Sequence, residues 1–86
     1  MKFKILLKHI KMPDISPTLD TMVNEFKDYA NKTYTRNDKK RNEIIYLYNM
    51  KENYKNGRPD EDGKVPTLGD IMHCIYYLRW ERILPF

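Results

Sequence analysis

The fold class is decided by the C-terminal stretch TLGDIMHCIYYLRWERILPF, residues 67–86. Thr67 and Asp70 have the spacing of an N-terminal capping box, so a helix is expected to begin at residue 68. Pro85 is expected to end it near residue 84, because its ring cannot continue the helical hydrogen bonds. Apolar residues at helical spacing predict a stripe that faces the core: Leu68, Ile71, Met72, Ile75 and Leu78.

The same helix carries bulky residues on its other side. At about 100° per residue, this second set lies opposite the core stripe: His73, Tyr77, Trp80 and Leu84, with Tyr76 and Ile83 between the sets. A helix that is apolar all round is normally buried. Either this helix is the central one, with the others packed around it, or its second set forms an exposed patch. Such a patch would bind a partner or a second copy of the chain, since large aromatic residues are enriched at interfaces.

Two arginines near the end of this helix also have two interpretations. The stems of Arg79 and Arg82 can pack while their charged heads stay in solvent at the negative end of the helix dipole. Alternatively, they contact an acidic partner beside Trp80. The candidate partner-binding residues are therefore Tyr76, Tyr77, Trp80, Leu84, Arg79 and Arg82.

A second helix pattern lies upstream, at about residues 17–31. Ser16 suits the N-cap, and Pro17 suits the first helical position, where its missing N–H costs nothing. The predicted apolar face comprises Leu19, Met22, Val23, Phe26, Tyr29 and Ala30. The opposite face is acidic and comprises Asp20, Glu25 and Asp28.

The segment between these two helices predicts a third helix. Asn37 or Asp38 can cap it, and it runs to about Tyr54. Residues 43–50 also have strong β propensity, but the charged helix formers on both sides favour a helix. The predicted apolar stripe comprises Ile44, Leu47, Tyr48 and Tyr54, and Lys51 interrupts it.

The chain as a whole is predicted to be mainly α: one compact three-helix domain over residues 1–86. Its length suits a single domain. Residues 2–11 fit either a short strand or an extra helix, because their apolar residues match both periods. Residues 55–66 hold Gly, Pro and charged residues, which predicts an exposed loop.

The composition also suggests where the protein works. Cys74 is the only cysteine, so no disulfide can form within the chain. No apolar run has the length of a signal peptide or of a membrane span. We therefore expect a cytoplasmic protein without membrane contact, in the cytoplasm of the host cell if a phage encodes it.

No pattern in the sequence predicts a catalytic site, a metal site or a cofactor. His9, His73 and Cys74 are too few and too scattered to hold zinc, which takes four ligands at characteristic spacing. The acidic residues of loop 59–64 lack the spacing of a calcium loop. The sequence therefore favours a protein that is not an enzyme.

A basic segment offers a second functional interpretation. It interleaves cations with an aromatic residue, as in proteins that bind phosphates and unstacked bases: Lys32, Tyr34, Arg36, Lys39, Lys40 and Arg41. The formal net charge of +4 is modest for a dedicated nucleic-acid-binding protein. Nucleic-acid binding is therefore the alternative prediction.

The leading prediction is a small binding protein that covers a surface on a larger protein or nucleoprotein. A homodimer through the C-terminal helix is also compatible with the pattern. The small size and the lack of a catalytic motif are typical of phage and mobile-element proteins that inhibit host machinery, such as defence nucleases.

Overall fold

The computed structural model describes residues 17–85. Helix α1 runs from Pro17 to Thr33. Its predicted apolar face is the face that packs: Val23, Phe26 and Ala30 are buried, and Leu19, Met22 and Tyr29 are partly buried against them. The predictions for residues 2–11, His9 and Ser16 lie outside the described residues.

Helix α2 runs from Lys39 to Asn56, so the helical interpretation of residues 43–50 is confirmed. Asp38 is its N-cap, and its Oδ1 accepts a hydrogen bond from the Lys40 N–H at 2.9 Å. Gly57 ends the helix in the left-handed conformation, with φ of 68°, which a residue without a Cβ adopts easily.

Helix α3 runs from Leu68 to Trp80 and begins with the predicted capping box. The Thr67 hydroxyl accepts from the Asp70 N–H at 3.1 Å, and the Asp70 carboxylate accepts from the Thr67 N–H at 2.9 Å. Each of these two hydrogen bonds satisfies a backbone N–H that would otherwise have no acceptor at the start of the helix.

The predicted end of α3 near residue 84 is wrong, because the chain turns back four residues earlier. Arg82 adopts the left-handed conformation, with φ of 61°. The Arg82 N–H then bonds the Arg79 carbonyl at 3.1 Å, and the Ile83 N–H bonds the Leu78 carbonyl at 2.9 Å. This pair of bonds is a Schellman motif, which glycine usually closes. Here a non-glycine residue closes it, so the sequence carried no obvious stop before Pro85.

Helix α2 is the central helix of the domain. It packs against both α1 and α3, whereas α1 and α3 have no backbone contact with each other in the described structure. The turn after α3 fills the space that remains: Ile83 and Leu84 are buried in the core, and the Tyr34 hydroxyl donates to the Ile83 carbonyl at 2.7 Å. The compact three-helix domain is therefore confirmed.

One charged side chain lies inside this core. Lys51, predicted to interrupt the apolar stripe of α2, is fully buried. Its Nζ lies 2.8 Å from Asp20 Oδ1 and donates to Asn24 Oδ1 at 2.9 Å, and it also pairs with Glu52. It lies 4.5 Å from the centroid of the Tyr48 ring, a cation–π distance. The lysine therefore belongs to the interface between α1 and α2.

Candidate docking face on helix α3

The side of α3 that faces away from α2 is solvent-exposed. We define the α3 outer face as Gly69, His73, Tyr76, Tyr77 and Trp80. The solvent-exposed fraction is 59% for Tyr76, 49% for Tyr77 and 83% for Trp80. These residues lie on the side opposite the buried Ile71, Ile75 and Leu78. An aromatic surface of this kind is unusual on a helix that has a buried side of its own.

A shallow depression lies beside Trp80, at the C-terminal end of the outer face. It has a volume of about 700 Å³ and is lined by Tyr76, Arg79, Trp80, Arg82, Leu84 and Pro85. Five of the six residues predicted to bind a partner thus meet at one site. The sixth, Tyr77, lies on the other flank of α3.

The prediction that Leu84 forms part of an exposed patch is wrong. Leu84 is only 3% exposed, because the chain reverses at Arg82 and carries it into the core. It forms the floor of the depression and offers little contact surface. Leu68 differs in the opposite sense: it was predicted in the core stripe but is 45% exposed. It is the first residue of α3, where a side chain tilts towards the N-terminus and away from the later turns.

Arg79 and Arg82 are exposed at the rim of this depression. Within residues 17–85, the ion pairs involve Lys51 and Lys55, and neither arginine has a carboxylate partner. Arg79 lies in the last turn of α3, and Arg82 follows the helix by two residues. The negative end of the helix dipole favours a cation at both positions. The depression therefore combines an exposed indole with two arginines that form no ion pair among the described residues.

A second groove lies on the Tyr77 side of α3, between α2 and α3. Its volume is about 310 Å³, and it is lined by Lys39, Asn42, Glu43, Tyr46, Cys74, Tyr77 and Leu78. Glu43 is close enough to raise the pKa of the Tyr77 hydroxyl, mainly by charge repulsion of the phenolate. Burial, with a smaller contribution from Glu43, raises the pKa of the Cys74 thiol to about 11. This thiol is therefore protonated at neutral pH.

Sequence reasoning did not single out Tyr46, which is 61% exposed and lines this groove. It lies in the apolar run at residues 44–48, where helical spacing alone could have shown it. Its neighbours Ile44 and Leu47 are buried, and Tyr46 points about 200° away from Ile44 around the helix.

The fold exposes most cations of the basic segment but uses its tyrosine for contacts within the domain. Lys32, Arg36, Lys39 and Lys40 are exposed. Its aromatic residue is engaged within the domain: Tyr34 bonds the Ile83 carbonyl and packs edge-on against Tyr29, with ring centroids 6.0 Å apart. Arg41 Nε donates to Asn31 Oδ1 at 3.0 Å. The segment therefore presents cations but no free ring on which a base could stack.

No protein-family model, curated protein or solved structure matches this chain. Residues 17–85 contain no group of three His, Cys, Asp or Glu side chains arranged to hold a metal ion. In the same part of the chain, each helix is too short or too polar to cross a bilayer.

Proposed function

We propose that this protein binds a larger protein or nucleoprotein and that the α3 outer face is its docking surface. The observation that carries the proposal is the exposure of Trp80, whose side chain is 83% accessible in a small domain. Tryptophan and tyrosine are enriched among the residues that contribute most to binding, because they bury a large area with few rotatable bonds.

The chemistry of the depression indicates what the partner presents. The indole of Trp80 is complementary to an apolar pocket on the partner. Arg79 and Arg82 on the rim are complementary to carboxylates around that pocket. A guanidinium binds a carboxylate through two parallel hydrogen bonds, which fixes orientation as well as adding affinity. The partner surface is therefore apolar at its centre and acidic at its edge.

A protein that works in this way acts stoichiometrically, by covering a surface that the partner needs. Inhibitors encoded by phages and mobile elements act in this manner. The alternative, nucleic-acid binding by the basic segment, has less support, because the hydroxyl of its tyrosine is hydrogen-bonded within the domain.

The proposal is tested by photo-crosslinking in the organism that encodes the chain. A benzophenone amino acid at Tyr76 should give a covalent adduct with one larger protein. The same amino acid at Thr21, which is exposed on α1, is the matched control and should not. Trp80→Ala and the double variant Arg79→Glu/Arg82→Glu should each abolish the adduct at Tyr76.

The variants must remain folded for this result to count. Because Trp80 is exposed, Trp80→Ala should change the free energy of unfolding by less than about 0.5 kcal/mol. Leu78→Ala, on the buried side of the same helix, should cost about 2–5 kcal/mol. Equal adducts from Tyr76 and Thr21, or an adduct that survives Trp80→Ala, would show that the outer face is not the docking surface.

A further inference from the structure

A third depression lies between α2 and the loop that joins α2 to α3. It has a volume of about 530 Å³, and Tyr46 and Met50 on α2 contribute apolar surface to its lining. The charged residues that line it are four carboxylates and one arginine: Glu52, Asp60, Glu61, Asp62 and Arg58. We call it the α2–loop depression. Its lining therefore combines an apolar part with an excess of negative charge.

Two of these carboxylates have no partner among residues 17–85. Glu61 and Asp62 are exposed, and neither side chain forms an ion pair or a hydrogen bond in this part of the chain. The other two are engaged. Glu52 pairs with Lys51, and Asp60 Oδ1 accepts from two backbone N–H groups of the loop, at 2.9 and 3.1 Å. Asp60 thus stabilises the turn, and its two neighbours present their charges to solvent.

Helix α1 begins beside this depression. Asp20 of α1 and Glu52 of the depression bind the same ammonium group, that of Lys51. Pro17, the first residue of α1, precedes Asp20 by about one helical turn, a rise of about 5 Å. The residues that precede Pro17 in the chain therefore join the domain close to the depression.

The segment that precedes α1 has the opposite charge to the depression. Residues 2–11 contain no acidic residue and four lysines: Lys2, Lys4, Lys8 and Lys11. Five apolar residues are interleaved with them: Phe3, Ile5, Leu6, Leu7 and Ile10. Apolar side chains gain free energy when they leave water, and lysines are attracted to unpaired carboxylates. A surface that offers both kinds of contact is therefore complementary to this segment.

The depressions on the two flanks of α3 are less complementary to it. The depression beside Trp80 is lined by Arg79 and Arg82, which repel lysines. It also lies near the other end of α1, because the Tyr34 hydroxyl, just beyond α1, bonds the Ile83 carbonyl, just beyond α3. The 17 residues of α1 span about 25 Å. The groove between α2 and α3 is lined by one lysine and one glutamate, so it has no excess of negative charge.

We infer that residues 2–11 dock in the α2–loop depression, with lysines on Glu61 and Asp62 and apolar side chains against Tyr46 and Met50. The contact is intramolecular, and a short linker gives an effective concentration of about a millimolar, so weak ion pairs suffice to populate it. Salt should weaken it, since the Debye length falls from about 10 Å at 0.1 M to about 3 Å at 1 M. The inference is independent of the proposed docking through the α3 outer face, which this contact leaves exposed.

Zero-length carbodiimide coupling of the full chain tests the contact, because it joins an amine to a carboxylate only when the two touch. Mass spectrometry of the monomeric product should show links from residues 2–11 to Glu61 and Asp62. Links to Glu81, an exposed carboxylate at the far end of the domain, should be at least tenfold fewer. Raising the salt concentration to about 1 M should remove most of the links to the loop.

Limited digestion with trypsin measures the docked fraction without depending on the coupled carboxylates. Docked lysines are protected, so the rate of cleavage after Lys8 and Lys11 follows the undocked fraction. The double variant Glu61→Gln/Asp62→Asn should increase this rate at least twofold.

A matched control removes the same number of carboxylates from another surface. Glu25→Gln/Asp28→Asn acts on two exposed residues of α1 and should leave the rate of cleavage unchanged. Asp60 is kept in every variant, because its side chain stabilises the turn. Exposed substitutions of this kind should change the free energy of unfolding by less than about 0.5 kcal/mol, so each variant remains folded.

Three outcomes would overturn the inference. Equal coupling to the loop and to Glu81 would mean that the segment has no preferred site on the domain. Cleavage that is equally fast in the native chain and in Glu61→Gln/Asp62→Asn would mean that these carboxylates do not hold it. Links found only in covalent dimers would assign the depression to the segment of a second copy. The adduct with a larger protein tests the α3 outer face separately from all three.

Discussion

The Nζ atom of Lys51, a fully buried side chain on α2, lies 2.8 Å from Oδ1 of Asp20 on α1. Burial by itself would lower the pKa of the lysine, but hydrogen bonds to Asp20 and Glu52 outweigh it and raise that pKa. The same contact lowers the pKa of Asp20, to which Lys55 also donates at 3.2 Å. The α1–α2 interface is therefore held by an ion pair as well as by apolar packing.

Replacement of Lys51 should separate the role of its stem from that of its charge. Lys51→Ala leaves a cavity and should cost about 2–4 kcal/mol in the free energy of unfolding. Lys51→Met keeps the volume and should cost less than about 1.5 kcal/mol, because the partly exposed Asp20 and Glu52 can be solvated by water. Urea denaturation measures both. Equal losses in the free energy of unfolding from the two variants would mean that the charge of Lys51 stabilises the fold more than its packed stem does.

The lowered pKa of Asp20 makes the stability depend on pH. Its carboxylate stabilises the fold above its unfolded-state pKa, near 3.8, and this contribution is lost as the pH falls through the lower folded-state value. Native protein should therefore exceed Asp20→Asn by about 1–3 kcal/mol at pH 6, and the difference should shrink below pH 4. Asp28→Asn, an exposed position on the same helix, is the control. A difference that stays constant down to pH 2 would contradict the ion pair.

The tyrosine that anchors the C-terminal turn offers a third prediction. Tyr34→Phe removes the hydrogen bond to the Ile83 carbonyl and should cost about 0.5–1.5 kcal/mol. Hydrogen exchange at Ile83 and Leu84 should accelerate more than exchange at Ile44, which is buried on α2. Uniform acceleration at all three amides would mean that this bond does not hold the turn specifically.

The Cys74 thiol should react slowly while the protein is folded. Its pKa of about 11 leaves little thiolate at pH 8, and the thiolate is the species that alkylating reagents attack. Iodoacetamide should modify Cys74 at least tenfold more slowly in buffer than in 6 M urea. A cysteine introduced at exposed Thr21 should react at nearly the same rate in both conditions. Rapid alkylation of folded Cys74 would contradict the burial.

The helices were predictable from the sequence because local signals determine them. The period of the apolar residues located α1, and the capping box located the start of α3. The end of α3 was not predictable, because Arg82 occupies a position where glycine is the usual signal. The role of Lys51 depends on Asp20, 31 residues earlier, so it follows only from the packing of α1 on α2.

The candidate site was only partly predictable for a similar reason. Helical spacing brought Tyr76, Tyr77 and Trp80 to one side of α3, but it left open whether that side was core or surface. The answer depends on which helix is central, and in the structure this is α2. Leu84 was placed on the outer side only because the helix was assumed to continue past Arg82.

The position of α3 at the side of a single helix has an energetic consequence. We expect α3 to be the unit that unfolds locally, because in the described structure its backbone contacts α2 and not α1. A molecule that binds the outer face of α3 stabilises the folded state of this helix. The population in which α3 is unfolded therefore falls as the concentration and the affinity of that molecule rise. Binding to that face should therefore slow hydrogen exchange at the amides of Ile71, Ile75 and Leu78, which lie on the opposite, buried side of the same helix.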